Sequence, residues 1–147
     1  MTRALAGDRR LADVARRGLT AVGLLIDAVL HLQLAANYQL AAPGGIGQGN
    51  LFRIEAAFAL LALLLVLWQG SRTAYVAAFL VAAGGLAALL AYRYYQVPAF
   101  GPIPAIYEPV WSFEKTLIAV AETAATAAAL VGYLQVGQSV RPTAANH

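Results

Sequence analysis

Four long apolar runs, separated by polar or Gly/Pro-rich segments, dominate the hydrophobic pattern of the chain. A helix needs about 20 mostly apolar residues to cross the roughly 30 Å hydrocarbon core of a bilayer, and each run reaches about that length. The pattern predicts an all-α polytopic membrane protein, a bundle of four transmembrane helices. The predicted spans are residues 18–40, 51–69, 74–96 and 112–135, within a transmembrane domain of residues 18–136.

The segments outside the spans differ in composition. Residues 1–17 form a basic N-terminal segment. This segment is either a short helix along the lipid headgroups, with Leu5, Leu11 and Val14 facing lipid, or a frayed tail. The other segments are two Gly/Pro-containing loops, residues 41–50 and 97–111, and a polar C-terminal tail, residues 137–147.

Composition agrees with a membrane protein, since 61% of the residues are hydrophobic, 12% are charged and the mean hydropathy is +0.66. A pI of about 9.5 can indicate a nucleic-acid partner. Here five of the ten basic residues stand just before the first span, where they act as a topology signal. We therefore expect the lipid bilayer as partner and no nucleic acid. The five residues are Arg3, Arg9, Arg10, Arg16 and Arg17.

Lys and Arg are unevenly distributed among the connections. Arg72 lies between the second and third spans and Arg141 lies in the tail, whereas residues 41–50 and 97–111 contain neither residue type. The positive-inside rule then predicts that both termini are cytoplasmic and that the two longer loops are outside. The expected location is the bacterial inner (plasma) membrane, with several passes.

Asp27 and His31 lie near the middle of the first predicted span. They are four residues apart, so they share one helical face. Ionisable groups at this depth are costly unless the protein supplies partners, which makes them candidates for binding a proton, a metal or another ligand. The alternative is a self-satisfied pair that holds a neighbouring helix.

Counting depth from the span boundaries places nearly all ionisable groups of the spans in the outer half of the bilayer. We therefore expect a polar cavity that opens to the extracytoplasmic side and is closed below by the apolar inner halves of the second and third spans. The candidate ligand-binding residues are Asp27, His31, Tyr38, Arg53, Glu55, Tyr92, Arg93, Glu114, Lys115 and Glu122. Asp27, His31 and Glu122 are also the candidates for any catalytic role.

The fourth span carries a polar stripe on one face, which we expect to turn inward. The stripe consists of Lys115, Ala119, Glu122 and Thr126. Glu122 is either a ligand or a protonated carboxyl that hydrogen-bonds across an Ala-lined helix contact.

Several residues near the ends of the spans have simpler explanations. Arg53 and Glu55 can extend to the headgroups, and Arg93 can meet either an acidic site or lipid phosphates. The aromatic residues Trp68, Tyr92, Tyr94, Tyr95 and Trp111 fit interfacial belts.

The second outer loop contains four prolines, so it cannot form a long regular helix. Tyr107, Glu108 and Trp111 in this loop are candidates for a lid over the cavity, with Glu108 as a further ligand. The alternative is a plain connection stiffened by proline.

The residue types limit the chemistry. Carboxylates and an imidazole suit a divalent Mn, Fe or Zn ion, with Asp27, His31, Glu55 and Glu122 as candidate metal ligands. A bis-histidine haem is excluded, since His31 is the only histidine in a span and the other histidine is His147. The chain has no cysteine, which excludes thiolate ligands. Hydrolytic catalysis is not expected, because no serine lies at the depth of His31.

The start of the first span lies in the stretch RRGLTAVGLLIDAVLHL, which has Arg17-Gly18 at the helix start and Gly23 and Asp27 further on. This stretch resembles the small four-span DoxX-like membrane proteins. The resemblance covers the four-helix plan and this first helix. It implies quinone-dependent redox chemistry, with quinone as the cofactor. The acidic fourth helix and the proline-rich second outer loop depart from the pattern, and no functional residue is carried over.

The leading hypothesis is therefore a membrane protein that binds a cation or small polar ligand in an outward-facing acidic cavity. One alternative is a quinone- or lipid-binding redox enzyme or accessory subunit, with Asp27 and His31 exchanging protons. Another is a structural subunit of a larger membrane complex or a homo-oligomer, with the Ala/Gly helix faces as docking surfaces.

Overall fold

A computed structural model of the protein describes residues 2–41 and 46–138. Within these two ranges there are four helices: α1 (Thr2–Ala41), α2 (Gln48–Trp68), α3 (Arg72–Tyr94) and α4 (Phe113–Gln138). Residues 42–45 of the first loop and residues 139–147 of the tail, with Arg141 and His147, lie outside the described residues.

All four helices are long and apolar enough to cross a membrane. This confirms the predicted all-α class with four candidate spans. The helix boundaries fall within a few residues of the predicted ones, except at the start of α1. That helix begins at Thr2 instead of residue 18, so the basic segment and the first span form one continuous helix.

Helix propensity explains the continuity of α1. Ala, Leu and Arg are good helix formers, and no proline interrupts the segment. The basic residues also find a partner within the helix, because Asp13 pairs with Arg16 at i+3 and with Arg17 at i+4, the latter at 3.0 Å. Leu11 and Val14 are exposed, and the side chain of Leu5 lies outside the described residues.

The helices form an antiparallel bundle in which α1 packs on α2 and α4, and α3 packs on the same two helices from the opposite side. Small residues fill the core, and many large aliphatic side chains point outward. This distribution suits a lipid environment, where close backbone contact holds helices together and outward Leu or Val costs nothing. The buried alanines are Ala21, Ala28, Ala35, Ala56, Ala59, Ala62, Ala74, Ala78, Ala82, Ala121, Ala125, Ala128 and Ala129.

Glycines mark the closest approaches between helices. A Cβ added at Gly23 of α1 would lie 2.9 Å from both the Ala121 carbonyl oxygen and the Ala125 Cβ of α4. Similarly, Gly49 of α2 lies against the Ala35 carbonyl of α1. These contacts leave no room for a side chain.

The proline-rich connection between α3 and α4 folds into a small β-hairpin. Val97 pairs with Ile106, and Phe100 pairs with Ile103 around a turn in which Gly101 has a φ of 55°. Such a positive φ favours glycine. The hairpin is also tied down, since the Pro102 carbonyl accepts a hydrogen bond from Ile46 N at 2.9 Å.

The opposite end of the bundle is closed by contacts around Tyr75, whose side chain is fully buried. Arg16 of α1 donates from Nε to the Tyr75 hydroxyl of α3 at 3.1 Å and also bonds Gln135 of α4 and Asp13. Arg16 therefore joins three helices at this end. We call Asp13, Arg16, Tyr75 and Gln135 the Arg16 cluster.

Substitution at Gly23 tests the role of close backbone contact. We expect Gly23→Ala to lower the free energy of unfolding by about 1–3 kcal/mol, because the added methyl overlaps the α4 backbone. Unfolding in detergent micelles, followed by circular dichroism, measures the change.

Gly18→Ala provides the matched control in the same helix, because an added Cβ there meets nothing within 4 Å. This change should raise stability by about 0.5–1 kcal/mol, the usual advantage of alanine within a helix. Equal effects at the two positions would contradict the proposed role of Gly23.

Candidate functional site

Asp27 and His31 form a buried pair on α1. His31 Nδ1 lies 2.7 Å from Asp27 Oδ1 and 3.0 Å from the Asp27 carbonyl oxygen. A nitrogen between two acceptors is best placed to donate a hydrogen, which leaves Nε2 as the available ligand atom of the neutral ring. The ring of Phe52 in α2 packs on the imidazole in a T-shaped arrangement, with 5.3 Å between the centroids, and restricts its orientation.

Glu122 of α4 joins this pair at the centre of the bundle. One potential ligand atom from each of Asp27, His31 and Glu122 lies within 4.8 Å of the other two, and all three residues are buried. Asp27 is 1% exposed and Glu122 is 0% exposed. The described structure thus brings together three residues that the sequence predicted at similar depth.

Glu55 of α2 approaches the same point, and Gly85 of α3 makes room for it. A Cβ built at Gly85 would overlap Glu122 Oε1 and lie 3.0 Å from Glu55 Oε1. The third helix therefore borders the site with bare backbone, while the other three helices supply side chains. We refer to Asp27, His31, Glu55 and Glu122 as the carboxylate cluster.

The carboxylate cluster has few hydrogen-bond donors. Both carboxyl oxygens of Glu122 and Oε1 of Glu55 are buried. None of these three atoms has a hydrogen-bond donor among the described residues. The Glu122 carboxyl lies within reach of the Asp27 carboxyl, which is another acid. His31 is the only donor found beside these acids in the described part of the chain. Buried acids in this arrangement need either protons or a cation to offset their charge.

A cavity of about 30 Å³ leads from His31 toward the β-hairpin. That volume exceeds the roughly 10–15 Å³ that a buried water molecule needs. His31 lies at one end, and Glu108, Trp111 and Lys115 line the other end. Leu34, Gln48, Phe52, Leu89, Tyr92 and Ile118 complete the lining.

Lys115 and Glu108 form an ion pair at the hairpin end of this cavity. Lys115 Nζ lies 2.7 Å from Glu108 Oε2 and 2.9 Å from the Val110 carbonyl oxygen. Tyr38 lies beside them, with its ring centre 5.7 Å from Lys115 Nζ. Two of the three predicted lid residues, Glu108 and Trp111, therefore border the cavity, whereas Tyr107 is exposed on the hairpin.

Six of the ten predicted ligand residues lie outside the carboxylate cluster. Tyr92 and Lys115 line the cavity and Tyr38 lies beside Lys115, whereas the other three do not line the cavity. Arg53 bonds Asn50 at 2.7 Å and Gln39 at 3.2 Å on the exposed side of α2. Arg93 donates to the Pro109 carbonyl at 2.7 Å and stacks on Trp111 at 4.8 Å. The third, Glu114, is exposed at the start of α4. Counting residues from the span boundaries predicted the depth of these side chains in the membrane. It did not predict the side of the helix on which each one lies.

Several contributors were not predicted as site residues, among them Gly85 and Gln48. Gly85 opens the space that Glu55 and Glu122 share. Gln48 precedes the predicted start of the second span, yet it is buried and lines the cavity. The Gly84-Gly85 pair in an otherwise Ala-rich span was the available signal for the first.

Replacing Glu122 tests whether its carboxyl serves stability. In the cation-free protein, we expect Glu122→Met to raise the free energy of unfolding by about 1–3 kcal/mol, because an acid with no donor is removed. Denaturation with a chelator present measures this change.

Glu114→Met is the matched control on the same helix, because Glu114 is exposed. Its effect should be a small loss of stability, about 0.3–1 kcal/mol, because an acid in the first turn of a helix is mildly favourable. A large loss of stability in Glu122→Met would show instead that the carboxyl holds the helices together.

Neither a known protein family, nor a characterised protein, nor a solved structure matches this chain.

Proposed function

We propose that this chain is an integral membrane protein that binds one small divalent cation at the carboxylate cluster. The observation that carries the proposal is the convergence of Asp27, His31 and Glu122 within 4.8 Å, buried among helices long enough to span a membrane. A cation offsets the charge of acids for which the described protein supplies almost no donors. Intramembrane ionisable groups of this kind generally have a function.

The geometry favours this role over the two alternatives that the sequence left open. A purely structural cluster would hold helices through satisfied hydrogen bonds, but the oxygens of Glu122 lack donors among the described residues. A quinone ring at the cluster needs a far larger space than the adjoining cavity of about 30 Å³, since small-molecule pockets usually measure about 300–1,000 Å³.

The donor set indicates the class of cation. Carboxylates alone would suit Mg²⁺ or Ca²⁺, whereas an imidazole beside carboxylates suits Mn²⁺, Fe²⁺ or Zn²⁺. Asp27 supports this choice, because its carbonyl oxygen and its carboxylate lie 3.0 Å and 2.7 Å from His31 Nδ1 and so hold the ring in place. A carboxylate that fixes a metal-binding histidine in this way is common in metal sites.

The cavity supports access from the hairpin end of the bundle. On that side, the connecting loops carry no Lys or Arg, which favours an extracytoplasmic position under the positive-inside rule. Toward the other end, the buried core beside the cluster consists of Leu24, Ala125 and similar apolar residues, followed by the Arg16 cluster. Entry and exit on the same side suit a protein that binds a cation rather than one that conducts it.

Isosteric substitutions test cation binding. We expect Asp27→Asn and Glu122→Gln to weaken Mn²⁺ and Zn²⁺ binding by more than about 10–100-fold, the usual loss when a residue that only supports a ligand is changed. The affinity for Mn²⁺ is measured from the loss of the electron paramagnetic resonance signal of free Mn²⁺ as protein is added. The affinity for Zn²⁺ is measured from the Zn²⁺ content of the protein after equilibrium dialysis.

The exposed Glu114→Gln variant should bind both ions as the unaltered protein does, because this carboxyl lies away from the cluster. Unchanged affinity in both Asp27→Asn and Glu122→Gln would rule the proposal out. Circular dichroism establishes that each variant is folded before its affinity is compared.

Cysteine labelling tests the proposed orientation, since the chain contains no cysteine of its own. Ala105 in the hairpin and Thr73 at the start of α3 are both exposed and lie at opposite ends of the bundle. With both termini in the cytoplasm, an impermeant maleimide should label Ala105→Cys in intact cells and Thr73→Cys only after permeabilisation. The reverse pattern would place the cavity on the cytoplasmic side.

A further inference from the structure

A second concave surface lies between α3 and α4, at the end of the bundle that carries the Arg16 cluster. It is an apolar groove of about 180 Å³, lined by Tyr75, Val76, Phe79, Leu130 and Tyr133. Val76 and Leu130 are 39% and 46% exposed, so the groove opens on the outer surface of the bundle. In a membrane, that surface faces hydrocarbon chains.

A cationic side chain stands at one end of this groove. Arg72, the first residue of α3, is exposed and places its guanidinium carbon 4.3 Å from the centre of the Tyr133 ring. Stacking on a ring leaves the planar edge of the guanidinium available for hydrogen bonds. Among the described residues Arg72 forms no ion pair, in contrast to Arg16 and Arg17, which share Asp13.

The groove and the arginine match the two parts of one kind of molecule. From Arg72 to Phe79 the helix rises about 10 Å, which spans the boundary between headgroups and acyl chains. An apolar groove with a free guanidinium at its polar end complements an acyl chain attached to a phosphate, and guanidinium groups bind phosphate oxygens in pairs.

We propose that this groove binds one anionic phospholipid, with an acyl chain against Phe79 and Leu130 and its phosphate on Arg72. The site is separate from the carboxylate cluster, and its occupancy does not depend on cation binding. It differs from the general lipid shell around the protein because a defined arginine selects the headgroup.

A fluorescent reporter in the groove tests the proposal. Phe79→Trp, in a chain that also carries Trp68→Phe and Trp111→Phe, places the only tryptophan at the groove. In vesicles of mixed lipids, we expect brominated phosphatidylglycerol to displace unbrominated lipid and quench this tryptophan with about fivefold preference over brominated phosphatidylcholine. One arginine at a membrane surface favours an anionic lipid by about that factor.

Arg72→Gln should reduce the preference to about one, whereas Arg10→Gln should leave it unchanged. Arg10 is an exposed arginine of the same basic end of the chain, and no described contact links it to the groove. An unchanged, about fivefold preference for phosphatidylglycerol in the Arg72→Gln chain would show a general lipid shell and overturn the proposal. So would the absence of quenching by either lipid, which would indicate that a second copy of the chain covers the groove.

Native mass spectrometry of the otherwise unaltered chain provides a second measurement that needs no tryptophan substitutions. One phosphatidylglycerol should remain bound after detergent removal, and Arg72→Gln should lose it. A chain that retains phosphatidylcholine equally well would overturn the proposal. The Glu122→Gln variant should retain the lipid, so failure of the cation proposal and failure of this one are distinguishable.

Discussion

Close approach of helix backbones is the constraint on which the rest of this structure depends. Lipid gives apolar helices little reason to associate, so small residues at the contacts must hold the bundle together. Gly23 brings α1 against α4 at Ala121, and one turn further along α1 Asp27 comes level with Glu122. The contact that stabilises the bundle therefore also sets the separation of its buried acids.

In this arrangement, the residues of the candidate site reduce the stability of the fold. Buried acids without donors raise the free energy of the folded protein, and only the surrounding packing keeps them in position. Gly85 increases the effect, because a bare backbone lets Glu55 and Glu122 share a space that any side chain would fill. Closely packed helices thus surround acids that, left without donors, destabilise the folded protein.

Much of the fold could be predicted from the sequence, because four apolar runs of membrane length permit few alternatives. The level of the acids also followed from counting residues along each span, since the rise of a helix is constant. The continuity of α1 did not follow, because its boundary was placed where charge ends and not where helix propensity ends. Prolines excluded a helix after Tyr94 but did not predict the pairing of Val97 with Ile106.

The composition of the candidate site could be predicted only in part, since depth does not determine direction. Arg53 and Glu55 are two residues apart, so they point to nearly opposite sides of α2 and cannot both face the interior. Glu55 faces the cluster, and Arg53 instead finds Asn50 and Gln39 outside it. Arg93 is held away by the Pro109 carbonyl, a contact that depends on how the loop folds.

The single uninterrupted α1 also limits how the bundle can change shape. Arg16 fastens this helix to α3 and α4 at one end, and Asp27 stands about 16 Å further along the same rigid rod. A tilt of α1 that widens the gap between Asp27 and Glu122 must pivot about the Arg16 contacts. The displacement of each α1 residue therefore grows with its distance from Arg16. Ala35 lies further from Arg16 than Asp27 does, so its close contact with Gly49 of α2 limits how far the bundle can open.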